Sequence, residues 1–243
     1  MKNRIAIGVC VVMASCLPLM AQGRGGRGGG GGTPKSAAPY DLTGYWISIV
    51  DEDWRFRMVM PPPGDYMGVP MTAEAGRVAA AWDPAKDEAS GDVCKAYGAA
   101  SLLRQPGILH ISWQDDNTLK VEMDTGKQTR LFHFGNFKAP SGPASLQGDS
   151  VASWETAGVR SLKVDTSNLK AGYLRKNGVP YSENAKVEEY YDVLKEPHGE
   201  TMLVVTTSVT DPQYLSQPFI VTSHFKKQPS DAGWNPQACS AKW

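Results

Sequence analysis

In residues 102–134, LLRQPGILHISWQDDNTLKVEMDTGKQTRLFHF, three stretches rich in β-branched and aromatic residues are separated by two polar tetrapeptides. The tetrapeptides are QDDN at residues 114–117 and DTGK at residues 124–127. Polar connections of this length are typical of hairpin turns between neighbouring antiparallel strands. The stretch therefore predicts an antiparallel meander.

Outward from this meander, further segments show the composition and the alternation of strands. They are TGYWISIV (43–50), WRFRM (54–58), SVASWE (150–155), SLKVDTS (161–167), KVEEYYDVL (186–194), TMLVVTTSV (201–209) and FIVTSHFKK (219–227). With the meander they make about ten strands, all antiparallel by the length of their connections. We expect an all-β fold, either an antiparallel barrel or a strongly curled meander, because closure hides the strand edges.

Two segments before the meander carry the remaining secondary structure. WRFRM alternates, with Trp54, Phe56 and Met58 on one side, and predicts a half-buried strand. TAEAGRVAAAWDP predicts the one good helix, with Thr72 as its N-terminal cap and Pro84 as its stop. A short helical insertion near residues 72–95 is therefore expected.

The start of the chain has the features of a secretory signal peptide. Residues 1–21 contain a basic n-region, an apolar h-region and a small residue at a plausible cleavage site. The motif MASC at residues 13–16 is close to a lipoprotein cleavage box, so a lipid anchor on Cys16 is the alternative form of processing. We expect an exported protein, periplasmic or extracellular, without a membrane span.

Composition then divides the rest of the chain in two. Residues 22–39, which begin QGRGGRGGGGG, predict a flexible spacer. Residues 40–243 are long enough for a single β-rich domain with a sizeable core. The chain has 25 basic and 25 acidic residues, and four of the basic ones lie in the first 32 positions with no acid. The domain is therefore acidic, and nucleic acid is not an expected partner.

Two of the four cysteines lie in the signal region, which leaves Cys94 and Cys239 for the mature chain. In an oxidising compartment such a pair is more often a disulfide than a catalytic thiol. We expect a Cys94–Cys239 bridge that holds the C-terminal tail.

Gly44-Tyr45-Trp46 on the first predicted strand resembles the G-x-W motif that opens lipocalins and related calycin barrels. In those proteins the tryptophan packs at the barrel floor against a basic residue from a late strand. The resemblance implies a lipocalin-like barrel in which Lys226 or Lys227 contacts Trp46.

A broader resemblance covers most of residues 40–240. Trp82-Asp83-Pro84 with Cys94, then SLKVDTSNL, GVPYSENAKVEEYY and TDPQYLSQPF follow an order similar to that of a family of exported bacterial β-rich proteins. That family has no established activity. The resemblance therefore implies an exported β-rich fold and no catalytic residues.

The most distinctive stretch is GYLRKNGVPYSENAKVEEYYD, residues 172–192. Its Asn177-Gly178 and Pro180 predict an exposed connection at residues 176–181. In the strand that follows, alternation places Glu189 on the more apolar side with Tyr191. A carboxylate there needs a partner, so we expect either a structural ion pair with Arg55, Arg57 or Arg175, or an acid/base group.

The hypothesis that follows is a barrel that binds a small, partly apolar molecule. The expected ligand-binding residues are Trp46, Trp54, Arg55, Phe56, Arg57, Arg175 and Tyr190. The alternatives are a cofactor-independent hydratase, isomerase or cyclase in which Glu189 and Tyr191 act as acid and base, and a structural protein of the cell envelope with a filled barrel.

Motifs for other chemistry are missing from the sequence. There is no G-x-S-x-G, no Walker loop and no dinucleotide-binding fingerprint. The histidines show neither H-x-H nor H-x-x-x-H spacing, and they are His110, His133, His198 and His224. We therefore expect neither a cofactor nor a metal.

Overall fold

The computed structural model describes residues 32–158 and 160–242. The predicted signal peptide, the lipidation motif at Cys16 and most of the predicted spacer lie outside the described residues. Pro34 already contacts the barrel, since the indole nitrogen of Trp154 donates to its carbonyl over 2.9 Å.

Nine strands of the described chain form a closed barrel, so the all-β barrel with a short helical insertion is confirmed. The strands of the described residues are β1 (Gly44–Ile49), β2 (Ile108–Trp113), β3 (Thr118–Met123), β4 (Thr125–Gly126), β5 (Gln128–Phe134), β6 (Asp149–Trp154), β7 (Leu162–Ser167), β8 (Gly172–Tyr173), β9 (Pro180–Tyr181), β10 (Lys186–Lys195), β11 (Thr201–Thr210), β12 (Phe219–Gln228) and β13 (Gln237–Ala238). Four short strands among them form two further two-stranded sheets, β4 with β13 and β8 with β9. The order around the barrel is β1-β2-β3-β5-β6-β7-β10-β11-β12, and β12 pairs with β1.

One neighbouring pair in the barrel is parallel, so the expectation of antiparallel pairing throughout was wrong there. β5 runs parallel to β6, with Phe132 opposite Ser150. An odd number of strands joined in sequence order cannot alternate in direction all the way round, so one parallel pair is required. The polar segment 135–148 carries the chain back along the barrel before β6 begins, as a parallel connection must.

Alternation along the strands fills the barrel with side chains. On β10 the residues Val187, Glu189 and Tyr191 are buried, while Glu188 and Tyr190 between them are half-exposed. The buried apolar cluster inside the barrel includes Trp46, Leu109, Ile111, Leu119, Val121, Phe132, Leu162, Val164, Tyr191, Leu203, Val205 and Phe225.

The segment between β1 and β2 contains the helices. They are α1 (Trp54–Arg57), α2 (Ala73–Ala80) and α3 (Pro84–Ser90), followed by short 3₁₀ turns at Lys95–Tyr97 and Leu102–Arg104. The hydroxyl of Thr72 accepts from the amide of Ala75 over 3.2 Å, which confirms the predicted cap. Pro84 does more than end α2, because it occupies the first turn of α3, with Asp83 as the cap.

Residues 54–57 form α1, so the predicted strand at WRFRM was wrong. Five residues are too few to separate a period of two from a helical period. In the helix, Trp54 and the C-cap residue Met58 are one turn apart and both are exposed. Arg57 is the buried residue of α1.

Residues 172–181 form a small hairpin of β8 and β9, and its turn is buried rather than exposed as predicted. Asn177 is fully buried, and its side-chain amide donates to the carbonyl of Asp65 over 2.9 Å. Gly178 has a φ of 81°, and a Cβ there would lie 2.3 Å from the side chain of Trp82. The helical segment therefore covers the turn.

Cys94 and Cys239 form the predicted disulfide, which joins positions 145 residues apart. Beside it, β13 of the C-terminal tail pairs with β4. The bridge thus fastens the tail to the helical segment, as expected from the cysteine count.

Candidate functional site

Inside the barrel, Glu189 forms a fully buried ion pair with Arg130. The guanidinium nitrogens of Arg130 donate to the two carboxylate oxygens of Glu189 over 2.8 and 2.6 Å. Both side chains are completely shielded from solvent. Since β6 and β7 separate β5 from β10 around the barrel, the pair bridges strands that are not neighbours.

Two hydroxyl groups lie next to this ion pair. Arg130 also donates to the hydroxyl of Thr166 over 3.1 Å, and that hydroxyl lies 2.8 Å from Ser150 Oγ. Burial disfavours the charged form of Arg130, but the carboxylate of Glu189 and the hydroxyl of Tyr191 favour it, and together they raise the pKa of Arg130. Burial, with the charge of Glu189, holds the pKa of Tyr191 well above its ordinary value.

The structure brings Glu189 and Tyr191 together but pairs Glu189 with an arginine that the sequence interpretation missed. The expected partners were Arg55, Arg57 and Arg175. A signal for Arg130 was present, because it alternates in phase with Phe132 and Phe134, which also face the core.

The other aromatic candidates do not share one cavity. Trp46 is buried, and Lys227 Nζ lies 5.1 Å from the centre of its ring, a contact of the kind that the G-x-W resemblance implies. Tyr190 is on the outer face of β10 near Lys163. Trp54 is 59% exposed. Arg55 forms an exposed ion pair with Asp65.

A second group of charges lies where the helical segment meets the start of β12 and the β8–β9 hairpin. It consists of the guanidinium groups of Arg57, Arg104 and Arg175, which we name the arginine cluster. All three residues are at least nine-tenths buried. The sequence singled out Arg57 and Arg175 but not Arg104, which lies in a 3₁₀ turn with no periodic pattern.

Each arginine of the cluster is fixed by contacts from the protein. Arg57 donates through Nε to the carbonyl of Arg104 over 3.0 Å and through Nη1 to Glu52 over 2.5 Å. Arg104 donates through Nη2 to Asp53 over 2.5 Å. Arg175 donates through Nη1 to the carbonyl of Met67 over 2.7 Å. The guanidinium groups are therefore held in place without a ligand.

Each of the three also keeps a buried nitrogen without a hydrogen-bond partner in the described part of the chain. These atoms are Nη2 of Arg57, Nη1 of Arg104 and Nε of Arg175. A buried donor left unpaired costs about 1–3 kcal/mol, and more when it is charged. Three such donors in one cluster are an expensive arrangement for a purely structural site.

Burial and mutual repulsion lower the pKa values of two arginines of the cluster. Burial, together with the positive charge of Arg104, lowers the pKa of Arg175 to about 10. Burial also lowers the pKa of Arg57, where Glu52 opposes the effect and Arg104 adds to it. An anion placed among these groups would stabilise their charged forms.

The arginine cluster borders open space. A cavity of ≈ 350 Å³ is lined by Glu52, Asp53, Gly68, Arg104, Arg175 and residues 219–222 at the start of β12. A second, much smaller void of ≈ 10 Å³ is lined by all three arginines together with Phe56, Gln105, Leu174 and Lys176. Arg104 and Arg175 thus face both spaces.

Apolar side chains lie beside the arginine cluster. Arg175 stacks on the ring of Phe56, with 4.0 Å between the guanidinium carbon and the ring centre, and lies 5.9 Å from that of Phe219. Ile220, which lines the cavity, is 62% exposed, and Met67, whose carbonyl binds Arg175, is 67% exposed. Large exposed apolar residues beside buried cations are typical of a binding site for a molecule with both kinds of surface.

The histidines of the strands take part in separate local contacts. His224 lies 3.0 Å from Glu52 and 3.3 Å from Asp51, and these three residues offer ligand atoms within 4.8 Å of one another. Glu52 is already engaged by Arg57. His110 contacts Glu122 and stacks on Tyr45, so it does not join His224.

Within residues 32–158 and 160–242, none of the helices combines the length and the apolar character needed to cross a bilayer. No protein-family model matches the chain, and a search of curated proteins gives no match. The resemblance to a family of exported β-rich proteins therefore stays a prediction.

Proposed function

We propose that this protein binds a small, partly apolar molecule whose anionic end is held by the arginine cluster at the mouth of the barrel. One observation carries the proposal: each of the three buried guanidinium groups has an unpaired nitrogen within the described chain, and two of them, Arg104 and Arg175, line an open cavity whose other lining residues include Phe219, Ile220 and Val221. The proposed binding site lies outside the barrel interior. The sequence hypothesis had placed it inside the barrel.

The filled interior supports this change of place. The side chains inside the barrel pack against one another, and Glu189 is neutralised by Arg130. A ligand there would have to displace core residues, which are packed as densely as a molecular crystal. The cavity at the arginine cluster exists already and, at ≈ 350 Å³, lies in the lower part of the range of small-molecule sites.

Preorganisation gives the site a thermodynamic advantage. The protein has already ordered the three arginines through Glu52, Asp53 and two backbone carbonyls. A ligand therefore does not have to immobilise these flexible side chains on binding, which is a major cost of association. Guanidinium groups fixed in this way donate charge-assisted hydrogen bonds, which are about twice as strong as neutral ones.

We also infer that the site operates outside the cytoplasm. The predicted signal peptide and the Cys94–Cys239 disulfide support export, since disulfides persist in oxidising compartments. Ligands that reach the periplasm or the medium are then the relevant ones.

Calorimetric titration of the mature protein with amphiphilic anions tests the proposal. Suitable probes share one octyl chain and differ in the head group: octanoate, octyl phosphate and octyl sulfate. We expect at least one to bind, and we expect Arg175→Gln or Arg104→Gln to weaken that binding at least tenfold, about 1.4 kcal/mol. Native mass spectrometry of protein from its own source, compared with the denatured mass, would identify the natural ligand.

Arg77→Gln is the matched control. Arg77 is an exposed arginine on α2 that pairs with Glu74, and it does not line the cavity. Its substitution should leave binding unchanged, and circular dichroism should show all variants folded. Absence of binding by every probe, or equal binding by the wild type and the folded Arg104 and Arg175 variants, would refute the proposal.

A further inference from the structure

The proposed function leaves the chemistry of the anionic head group open. We infer, on the basis of that function, that the arginine cluster selects a carboxylate monoanion attached to an apolar body, and discriminates against phosphate dianions.

A carboxylate already occupies part of the arginine cluster. Asp53 Oδ2 lies 2.5 Å from Nη2 of Arg104 and 3.6 Å from Nη2 of Arg175. The side chain of Asp53 reaches them from a residue in the left-handed conformation, with φ 54°. The two guanidinium groups are therefore spaced so that one carboxylate can contact both, and their unpaired nitrogens remain for a second carboxylate.

The charges around the cavity limit how negative the ligand can be. Three arginines are offset by two carboxylates, Glu52 and Asp53, both of which line the open cavity. A monoanion would neutralise the excess positive charge of these five groups. The second charge of a dianion would face Glu52 and Asp53 at short range, and such like-charge contacts are a common means of rejecting a ligand.

Lys176 also lines the void, but its ammonium nitrogen lies 4.7 Å from the centre of the Tyr97 ring. Its charge adds to the positive potential of the void. Glu52 and Asp53, by contrast, line the open cavity and do not line the void.

The size of the small void also favours a carboxylate head group. The void bordered by the three arginines has ≈ 10 Å³, which is close to the space for one water-sized atom. One carboxylate oxygen fits such a space, while the other stays in the open cavity. An alkyl phosphate that placed one oxygen in the void would leave two more oxygens and its second charge in the open cavity, beside Glu52 and Asp53.

The walls of the cavity then favour an apolar body. Phe219, Ile220 and Val221 line it on the β12 side. Because Ile220 is largely exposed, an alkyl or aryl group lying on it would remove apolar surface from water. The ligand class is therefore a small alkyl or aryl carboxylate.

The test compares octanoate, octyl phosphate and octanol on the wild-type protein at about pH 8, where the phosphate is a dianion because its second pKa is about 6. Octanoate should bind at least tenfold more tightly than either of the other two. Octyl phosphate binding as tightly as octanoate would overturn the carboxylate inference and leave the proposed anion site standing. Failure of all three to bind, or equal binding of octanol and octanoate, would overturn the proposed function itself.

Asp53→Asn gives a second measurement on the same selectivity. Asn tolerates the left-handed conformation of Asp53, so the backbone is preserved, while one negative charge is removed. Octyl phosphate affinity should rise at least fivefold relative to octanoate affinity in this variant. An unchanged ratio would mean that acidic residues do not set the selectivity and would contradict the inference.

Discussion

Removal of one partner of the buried Arg130–Glu189 pair should be among the most damaging single substitutions in the barrel. Glu189→Leu would leave the guanidinium of Arg130 inside the barrel with no counter-charge. Arg130→Met would likewise leave the carboxylate of Glu189 buried with no counter-charge. Neither side chain has any contact with solvent, so water cannot compensate.

The expected size follows from this complete burial. Breaking a buried, hydrogen-bonded ion pair from one side costs about 3–5 kcal/mol. Domains are stable by only about 5–15 kcal/mol, so each single variant loses a large fraction of its stability. The double variant Arg130→Met with Glu189→Leu replaces both charges by apolar groups of similar volume, and such replacements are often neutral or stabilising.

Urea denaturation of the four proteins in a double-mutant cycle measures these differences. The double variant should be more stable than either single variant, and both singles should lose at least 2 kcal/mol. If the two single losses simply added in the double variant, the charges would not depend on each other and the account of the ion pair would be wrong. Octanoate binding by the folded double variant should match the wild type, since neither residue lines the cavity at the arginine cluster.

Three further predictions concern stability and titration. Gly178→Ala combines a positive φ with a severe clash and should lower the free energy of unfolding by about 2 kcal/mol or more. Gly199→Ala, with φ 91° and open space around it, should lower it only by the smaller backbone strain, and equal losses of stability in thermal unfolding would contradict this. Replacing Cys94 and Cys239 by serine should lower the free energy of unfolding by up to about 5 kcal/mol in the chain-entropy model, and a loss below about 1 kcal/mol would show that the tail is held by other contacts. Burial lowers the pKa of His133, against the opposing charges of Asp115 and Asp149, so NMR should find it titrating below the usual value of about 6.5. As the pH falls, the unfolded chain therefore binds this proton before the folded protein does. The contribution of His133 to stability is present above the pKa of the unfolded state and is lost as the pH falls through the pKa of the folded state. A measured pKa at or above the usual value would contradict the prediction.

The barrel could be predicted because its strands alternate over six or more residues between recognisable turns. Each of the nine barrel strands overlaps a segment that the sequence analysis marked as a strand. The exception among the marked segments, WRFRM, was too short for its period to be decided. The parallel pair β5–β6 was missed because its polar connection gives no sign of the direction in which the chain returns.

Long-range burial is what the sequence did not reveal. Asn177-Gly178 is a strong signal for a turn, and a turn is present, but its exposure depended on residues 50–105 folding over it. Alternation placed Glu189 in the core, yet it could not choose Arg130 from the other arginines without the order of the strands. The arginine cluster combines a short helix, a 3₁₀ turn and a hairpin, none of which carries a period that links them.

The pairing of the first barrel strand with the last has a consequence for how the molecule is made. Trp46 on β1 is opposite Lys227 on β12, so this seam joins almost the two extremes of the barrel sequence. Loop closure over such a separation is slow, and synthesis delivers β12 last. The cavity at the arginine cluster takes one wall from residues 52–53, which follow β1, and another from residues 219–222, at the start of β12. A ligand that binds both walls would therefore favour the closed seam over an open-barrel intermediate, and its affinity would add directly to the stability of the finished barrel.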